Sequence, residues 1–167
     1  MLRKGFTLIE LLIVIGIVAI LAAVVFIGLD PLTRFRDARD AARWTDITAI
    51  LSAVRVDQVD HGGRYSYGIR HDTAEATGTP FMILDGNATS TNTCNASCDV
   101  AISSGNCDDL SQLVTRGYLG KLPVSPNGAS SWSSTGNTGF YVQINSNNSI
   151  TVGACESENT PSITVTR

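Results

Sequence analysis

Polar and apolar residues are spread very unevenly along the 167-residue chain. Residues 11–29 are nineteen consecutive uncharged positions, nearly all apolar, with only two glycines, Gly16 and Gly28. At ~1.5 Å of rise per residue this stretch makes a helix of roughly 29 Å, enough to cross the hydrocarbon core of a bilayer. Asp30-Pro31 punctuates it, since proline has a fixed φ and no N–H and so bends or restarts a helix. Residues 32–60 are mixed in character. Trp44, Ile47, Leu51 and Val54 recur there at intervals of three and four, a stripe suited to packing under a globular head. Opposite charges also sit three or four apart: Arg34 with Asp37, Arg36 with Asp40, Asp40 with Arg43, and Arg43 with Asp46. The spacing predicts a solvated or intersubunit ion-pair face. His61-Gly62-Gly63 then ends the helix, because adjacent glycines supply left-handed caps.

Past residue 65 the composition turns to Gly, Ser, Thr and Asn, and the period changes from that of a helix to that of a strand. Residues 80–84 (Pro-Phe-Met-Ile-Leu) read as a strand and Asp85-Gly86 as a turn. Residues 87–106 read as a polar, cysteine-bearing loop. Asp108-Asp109 is expected to open a short helix over 110–116, its acids in the first turn and Gly117 at its close. Phe140, Val142 and Ile144 alternate with Tyr141, Gln143 and Asn145, which predicts a strand with one buried face. A turn at Asn147-Asn148 and alternation through Ile150, Val152 and Ala154 complete an antiparallel hairpin, and residues 163–165 add an edge strand. The whole pattern predicts an α+β protein: a long N-terminal helix, membrane-spanning in one half and amphipathic in the other, packed on a small antiparallel β-sheet head. A sheet this small needs the helix stripe to cover its apolar face.

The flanks of the apolar run add direction. Arg3 and Lys4 precede it, which keeps that end cytoplasmic and sends the remainder across the membrane. A secretory signal cut at the small residues around Ala22-Ala23 fits poorly, because the run continues past them. An uncleaved anchor leaves Glu10 unexplained, since a carboxylate at the centre of a membrane helix costs ~2.5–3.5 kcal/mol. Glu10 lies near enough to the cytoplasmic end to reach headgroups.

The residues Lys4-Gly5-Phe6-Thr7-Leu8-Ile9-Glu10-Leu11 resemble the processing site of type IV pilins and of the related pseudopilins of type II secretion. The resemblance implies cleavage between Gly5 and Phe6 by prepilin peptidase, N-methylation of Phe6, and a role for Glu10 in methylation and assembly. It further implies a leader at 1–5, a transmembrane or filament-core helix at 6–30, an amphipathic stalk at 31–60 and a globular head with a disulfide loop at 61–167. Residues 6–60 as one helix are about 80 Å long. Cutting at Phe6 creates an amine in apolar surroundings, and a buried unpaired charge is strongly disfavoured. Glu10 of a neighbouring subunit is the natural partner, and one stacking offset alone pairs both charges. Two weaker likenesses support the same family: residues 34–44 resemble its stalk, and residues 110–126 followed by Gly139-Phe140-Tyr141-Val142 resemble a segment of its head. Residues 127–137 hold no Asp or Glu, unlike the calcium-binding loop of many pseudopilins, so a calcium-dependent pseudopilin fits poorly.

Composition narrows the rest. The chain is 43% apolar with a net charge of −3; without residues 1–5 ten basic residues face fifteen acidic ones, a net of −5. That balance argues against nucleic acid as the main partner, since phosphate binding needs a basic surface. Four cysteines, Cys94, Cys98, Cys107 and Cys155, all lie in the exported part, and an even number there points to disulfides. Three pairings are open; Cys107 with Cys155 and Cys94 with Cys98 is the favoured one, with zinc ligation as a rival that the spacings fit badly. No cofactor or metal set is read from the chain, and no catalytic constellation. The two histidines, His61 and His71, lack spaced partners, and serines 130–134 read as a surface loop. Three sequons, at Asn87, Asn95 and Asn147, carry little weight in a bacterial chain, which is what the resemblance implies.

The leading function is structural, not enzymatic: a type IV pilus subunit that homo-oligomerises through its N-terminal helix. The resemblance implies prepilin peptidase, a cytoplasmic assembly ATPase and an inner-membrane platform protein as partners. It implies an inner-membrane stage with the head outside the cytoplasm, then an extracellular pilus or periplasmic pseudopilus. The alternatives are a pseudopilin or minor pilin of type II secretion or DNA uptake, and a monomeric membrane-tethered binding module.

Overall fold

The computed structural model describes residues 5–65, 77–86, 94, 98–103, 105–128, 132 and 136–167. Arg3, Lys4, His71, the sequons at Asn87 and Asn95 and serines 130, 131, 133 and 134 lie outside those residues. The chain divides into two compact units, residues 1–35 and 36–167.

The first unit is dominated by α1 (Leu8–Leu29), 22 residues of which none is buried. By length and composition α1 can cross a membrane. It stops at Asp30, whose φ of 36° and ψ of 72° are left-handed, and Pro31 begins α2 (Pro31–Asp60). The break has a local cause: Pro31 cannot donate into the α1 ladder, and the Asp30 carboxylate accepts from the Thr33 hydroxyl at 2.6 Å.

In the second unit, α2 runs to Asp60 and ends in a Schellman arrangement. Gly63 N–H reaches the Gln58 carbonyl at 2.8 Å and Gly62 N–H that of Val59 at 3.1 Å, with φ of 67° at Gly62 and 85° at Gly63. Its buried face comprises Ile47, Ile50, Leu51, Ala53 and Val54. Trp44, expected on that stripe, is 38% exposed, and Ile50 takes its share of the packing.

The head is a five-stranded sheet in the order β2-β1-β3-β4-β5, from β1 (Pro80–Leu84), β2 (Cys107–Asp109), β3 (Asn137–Ile144), β4 (Ile150–Ala154) and β5 (Thr164–Thr166). The expected hairpin is present: Val142 faces Val152, and Asn148 takes the left-handed turn position at φ 61°. The sheet is mixed and not purely antiparallel, because β2 pairs parallel with β1. The residues expected to open a helix form that strand instead. Asp108 lies opposite Ile83, and the short helix α3 starts later, spanning Ser111–Thr115. Asp109 still serves locally, accepting the Ser111 N–H at 2.8 Å.

Strand alternation sends residues to two cores. Ile83, Phe140, Val142, Ile150 and Val152 meet the α2 stripe together with Leu110 and Leu113. Met82 and Tyr141 point the other way and pack with Ile102, Trp132, Cys94 and Cys155. The face of β3 expected to be polar is therefore covered at Tyr141, which is 4% exposed. Gly153 permits this cover: a Cβ there would sit 2.5 Å from the Tyr141 ring.

The disulfides are Cys94–Cys107 and Cys98–Cys155, with Cα separations of 5.6 and 4.1 Å. This corrects the expected Cys107–Cys155 and Cys94–Cys98 pairing. Cys107 lies on β2 and Cys155 directly follows β4, three strand positions away. At ~4.8 Å per position that is roughly 14 Å, beyond the reach of one disulfide.

Candidate functional site

The amino-terminal site is built on how α1 starts. A helix leaves its first N–H groups unpaired, and a Thr followed three residues later by Glu satisfies two of them reciprocally. Thr7 is the N-cap, with extended backbone at φ −82° and ψ 150°. Its Oγ1 accepts the Glu10 N–H at 3.3 Å, while Glu10 Oε2 accepts the Thr7 N–H at 3.0 Å and the Thr7 hydroxyl at 2.9 Å. Both residues are exposed. Phe6, one position before the cap, is 84% exposed and outside the helix, and Gly5 has open space around it. The capping box thus holds the Glu10 carboxylate at the helix end nearest the Gly5–Phe6 bond. Thr7 stands in the motif but no role was expected of it, although its Thr-x-x-Glu spacing is a legible capping signal.

Of the expected ion-pair face, Arg34, Arg36 and Asp37 are exposed, and the pair Asp40 with Arg43 is present but buried, not solvated. Arg43 is fully buried, and its guanidinium donates to Asp40 Oδ1 at 2.7 Å, Glu158 Oε1 at 2.9 Å, the Pro126 carbonyl at 3.0 Å and Ser125 Oγ at 3.1 Å. Arg39 Nε donates to Glu158 Oε1 at 2.6 Å, and its Nη2 also bonds that carboxylate. Asp40, 3% exposed, accepts the N–H groups of Glu158, Asn159 and Thr160 at 2.9–3.3 Å. Burial opposes ionisation of Asp40, but those N–H donors and Arg43 outweigh it and hold its carboxyl below the usual range. Arg39, against the opposing effect of burial and with help from Arg43, holds Glu158 down to about 2. The arrangement is a structural clamp between α2 and residues 156–160, since each of these charges has a partner across it.

At the far end of α2, Asp57 is fully buried and receives Arg116 Nη1 at 3.0 Å, with His61 Nδ1 3.3 Å away. The Tyr118 hydroxyl donates to Asp60 at 2.8 Å. These bonds tie α3 and the turn after it to the helix end. Among the described residues no cluster of three or more His, Cys, Asp or Glu side chains is arranged to hold a metal ion.

An unburied apolar helix, capped at its start and followed in the chain by a small α+β head, is the layout of a protein with an amino-terminal membrane anchor. The family model described as the prokaryotic N-terminal methylation motif matches residues 1–26. The chain therefore carries the signature of the type IV pilin and pseudopilin family. Proteins with this motif are structural subunits, and the motif implies processing by prepilin peptidase and filament assembly in general. No curated protein and no solved structure gives a significant match to the chain.

Proposed function

We propose that the chain is a structural subunit of a type IV pilus, cleaved after Gly5, N-methylated at Phe6 and polymerised through α1. The observation that carries this reading is the Thr7–Glu10 capping box, poised beside the cleavage position on a helix with no buried residue. Before assembly the carboxylate is partnered within its own chain. After cleavage an amine appears at Phe6, and exchange of Glu10 from Thr7 to the amine of a neighbouring subunit pairs both charges in apolar surroundings. Other stacking offsets leave both charges unpaired, so Glu10 sets the axial register. The segments involved are the leader 1–5, the core helix 6–30, the stalk 31–60 and the head 61–167. The assembly ATPase and platform protein act on the membrane-held subunit, whose head lies outside the cytoplasm, and the final location is the extracellular filament.

The test is Glu10→Leu in the native host. The expected result is a chain that still inserts in the membrane and is cut to begin at Phe6 but yields no filaments. Normal filaments from that variant, or wild-type protein that still begins at Met1, overturn the proposal.

A further inference from the structure

Resting on the reading of α1 as membrane-spanning, we propose that the start of α2 is a phospholipid-headgroup collar, in which Leu32 and Phe35 enter the outer headgroup layer and Arg34 meets lipid phosphate. Leu32 is 69% and Phe35 64% exposed, beyond the end of the apolar run. Large apolar side chains this exposed, with an arginine between them, match an interface where one side is greasy and the other anionic. The break at Asp30 shapes the surface beneath. Phe26, Ile27, Asp30, Pro31 and Leu32 line an open concavity of about 550 Å³, chiefly apolar, at the point where the chain leaves the hydrocarbon. Asp30 bonds Thr33, which keeps its carboxylate turned to its own chain beside this concavity.

Distance limits the choice of occupant. Leu32 is three residues and Phe35 six residues past Leu29, at most ~4.5 and ~9 Å along a helix. The headgroup layer on each side of the ~30 Å hydrocarbon core is roughly 5–7.5 Å thick. Whatever direction α2 takes, Leu32 stays inside that layer, and the Phe35 backbone lies at most ~1.5–4 Å beyond its outer edge, a distance its own side chain can span. The collar fixes the depth of the subunit before polymerisation, so that its withdrawal from the bilayer requires lifting two apolar side chains out of the interface.

The experiment uses the full chain in vesicles of phosphatidylethanolamine and phosphatidylglycerol containing a lipid brominated near the headgroup end of its acyl chains. Single tryptophans are introduced as Phe26→Trp, Phe35→Trp and Val59→Trp, and the signal of the native Trp44 and Trp132 is subtracted. The expected result is quenching of the position-35 probe by brominated lipid, with iodide access roughly twofold below that of the position-59 probe and partly restored by adding Arg34→Gln. A position-35 probe that behaves as the position-59 probe does, while the position-26 probe is quenched, overturns the collar and leaves the spanning helix standing. Loss of quenching at position 26 as well overturns the spanning reading itself. Shielding at position 35 that appears only at high protein-to-lipid ratio assigns the surface to a second copy of the chain and overturns the lipid assignment. Unchanged shielding with Arg34→Gln overturns the phosphate contact.

Discussion

Replacing Arg43 by methionine tests the clamp that ties α2 to the end of the chain. Methionine keeps most of the stem's volume and removes the charge. The lost guanidinium, itself fully buried, donates to four oxygens within 3.1 Å: two carboxylate, one carbonyl and one hydroxyl. Breaking a buried ion pair by deleting one partner costs about 3–5 kcal/mol. Here the lower part of that range applies, because Asp40 keeps its three backbone donors and Glu158 keeps Arg39. A loss of about 3 kcal/mol is a large share of the ~5–15 kcal/mol that holds a domain folded. The control is Arg39→Met, whose side chain is 33% exposed, so that water screens its ion pair and its loss costs less than that of the buried Arg43. The assay is urea unfolding of the disulfide-intact chain in detergent micelles, followed by the fluorescence of buried Trp132. Urea leaves ion pairs unscreened, and an unchanged denaturant slope shows that stability alone has moved. Acid supplies a second reading. Glu158 is held below its ordinary value, so its contribution is complete above about pH 4.5 and is lost as pH falls through about 2; Asp40, also held down, loses its contribution in the same direction. An Arg43→Met penalty no larger than that of Arg39→Met refutes the argument.

Two further outcomes follow from the head. Burial, reinforced by the charge of Asp109, pushes the Asp108 carboxyl up to about 8. The folded state therefore keeps a proton that the unfolded chain releases near pH 4, and stability falls between about pH 4 and 8 by up to ~1.4 kcal/mol per pH unit. Asp108→Asn flattens that slope and stabilises the protein at pH 8; equal slopes for variant and wild type in thermal melts refute the burial argument. Mass spectrometry after non-reducing digestion is expected to find Cys94 linked to Cys107 and Cys98 to Cys155, and a Cys107–Cys155 peptide overturns the strand order. In the chain-entropy model, the 57-residue separation makes Cys98–Cys155 the more stabilising bridge, at about 4 kcal/mol against about 3 for Cys94–Cys107.

What the sequence made legible was local. Strand β1 matches its expected bounds, the β3–β4 hairpin turns at Asn148 as its Asn pair foretold, and α2 ends at the paired glycines. The amino-terminal motif could be read because it is contiguous in the sequence, over residues 1–26. Long-range facts could not be read. Arg43 looked like a surface charge because its nearest sequence neighbours are acids, while Ser125, Pro126 and Glu158, which bury it, lie 82 to 115 residues away. The cysteine pairing depends on strand order, and periodicity does not encode order. At Asp108, the preference of an acid for a helix start competed with pairing to β1, and the sheet won because it satisfies a row of backbone groups.

The three amides that surround Asp40 belong to residues 118 to 120 positions further along the chain. Synthesis therefore delivers the carboxylate and its guanidinium neighbour well before the groups that complete them. Until residues 158–160 reach it, the middle of α2 carries a polar spot that can stay wet but cannot be packed dry. Dry packing of this part of the helix thus waits on a segment more than a hundred residues downstream, and a chain cut before residue 158 is expected to leave the spot hydrated.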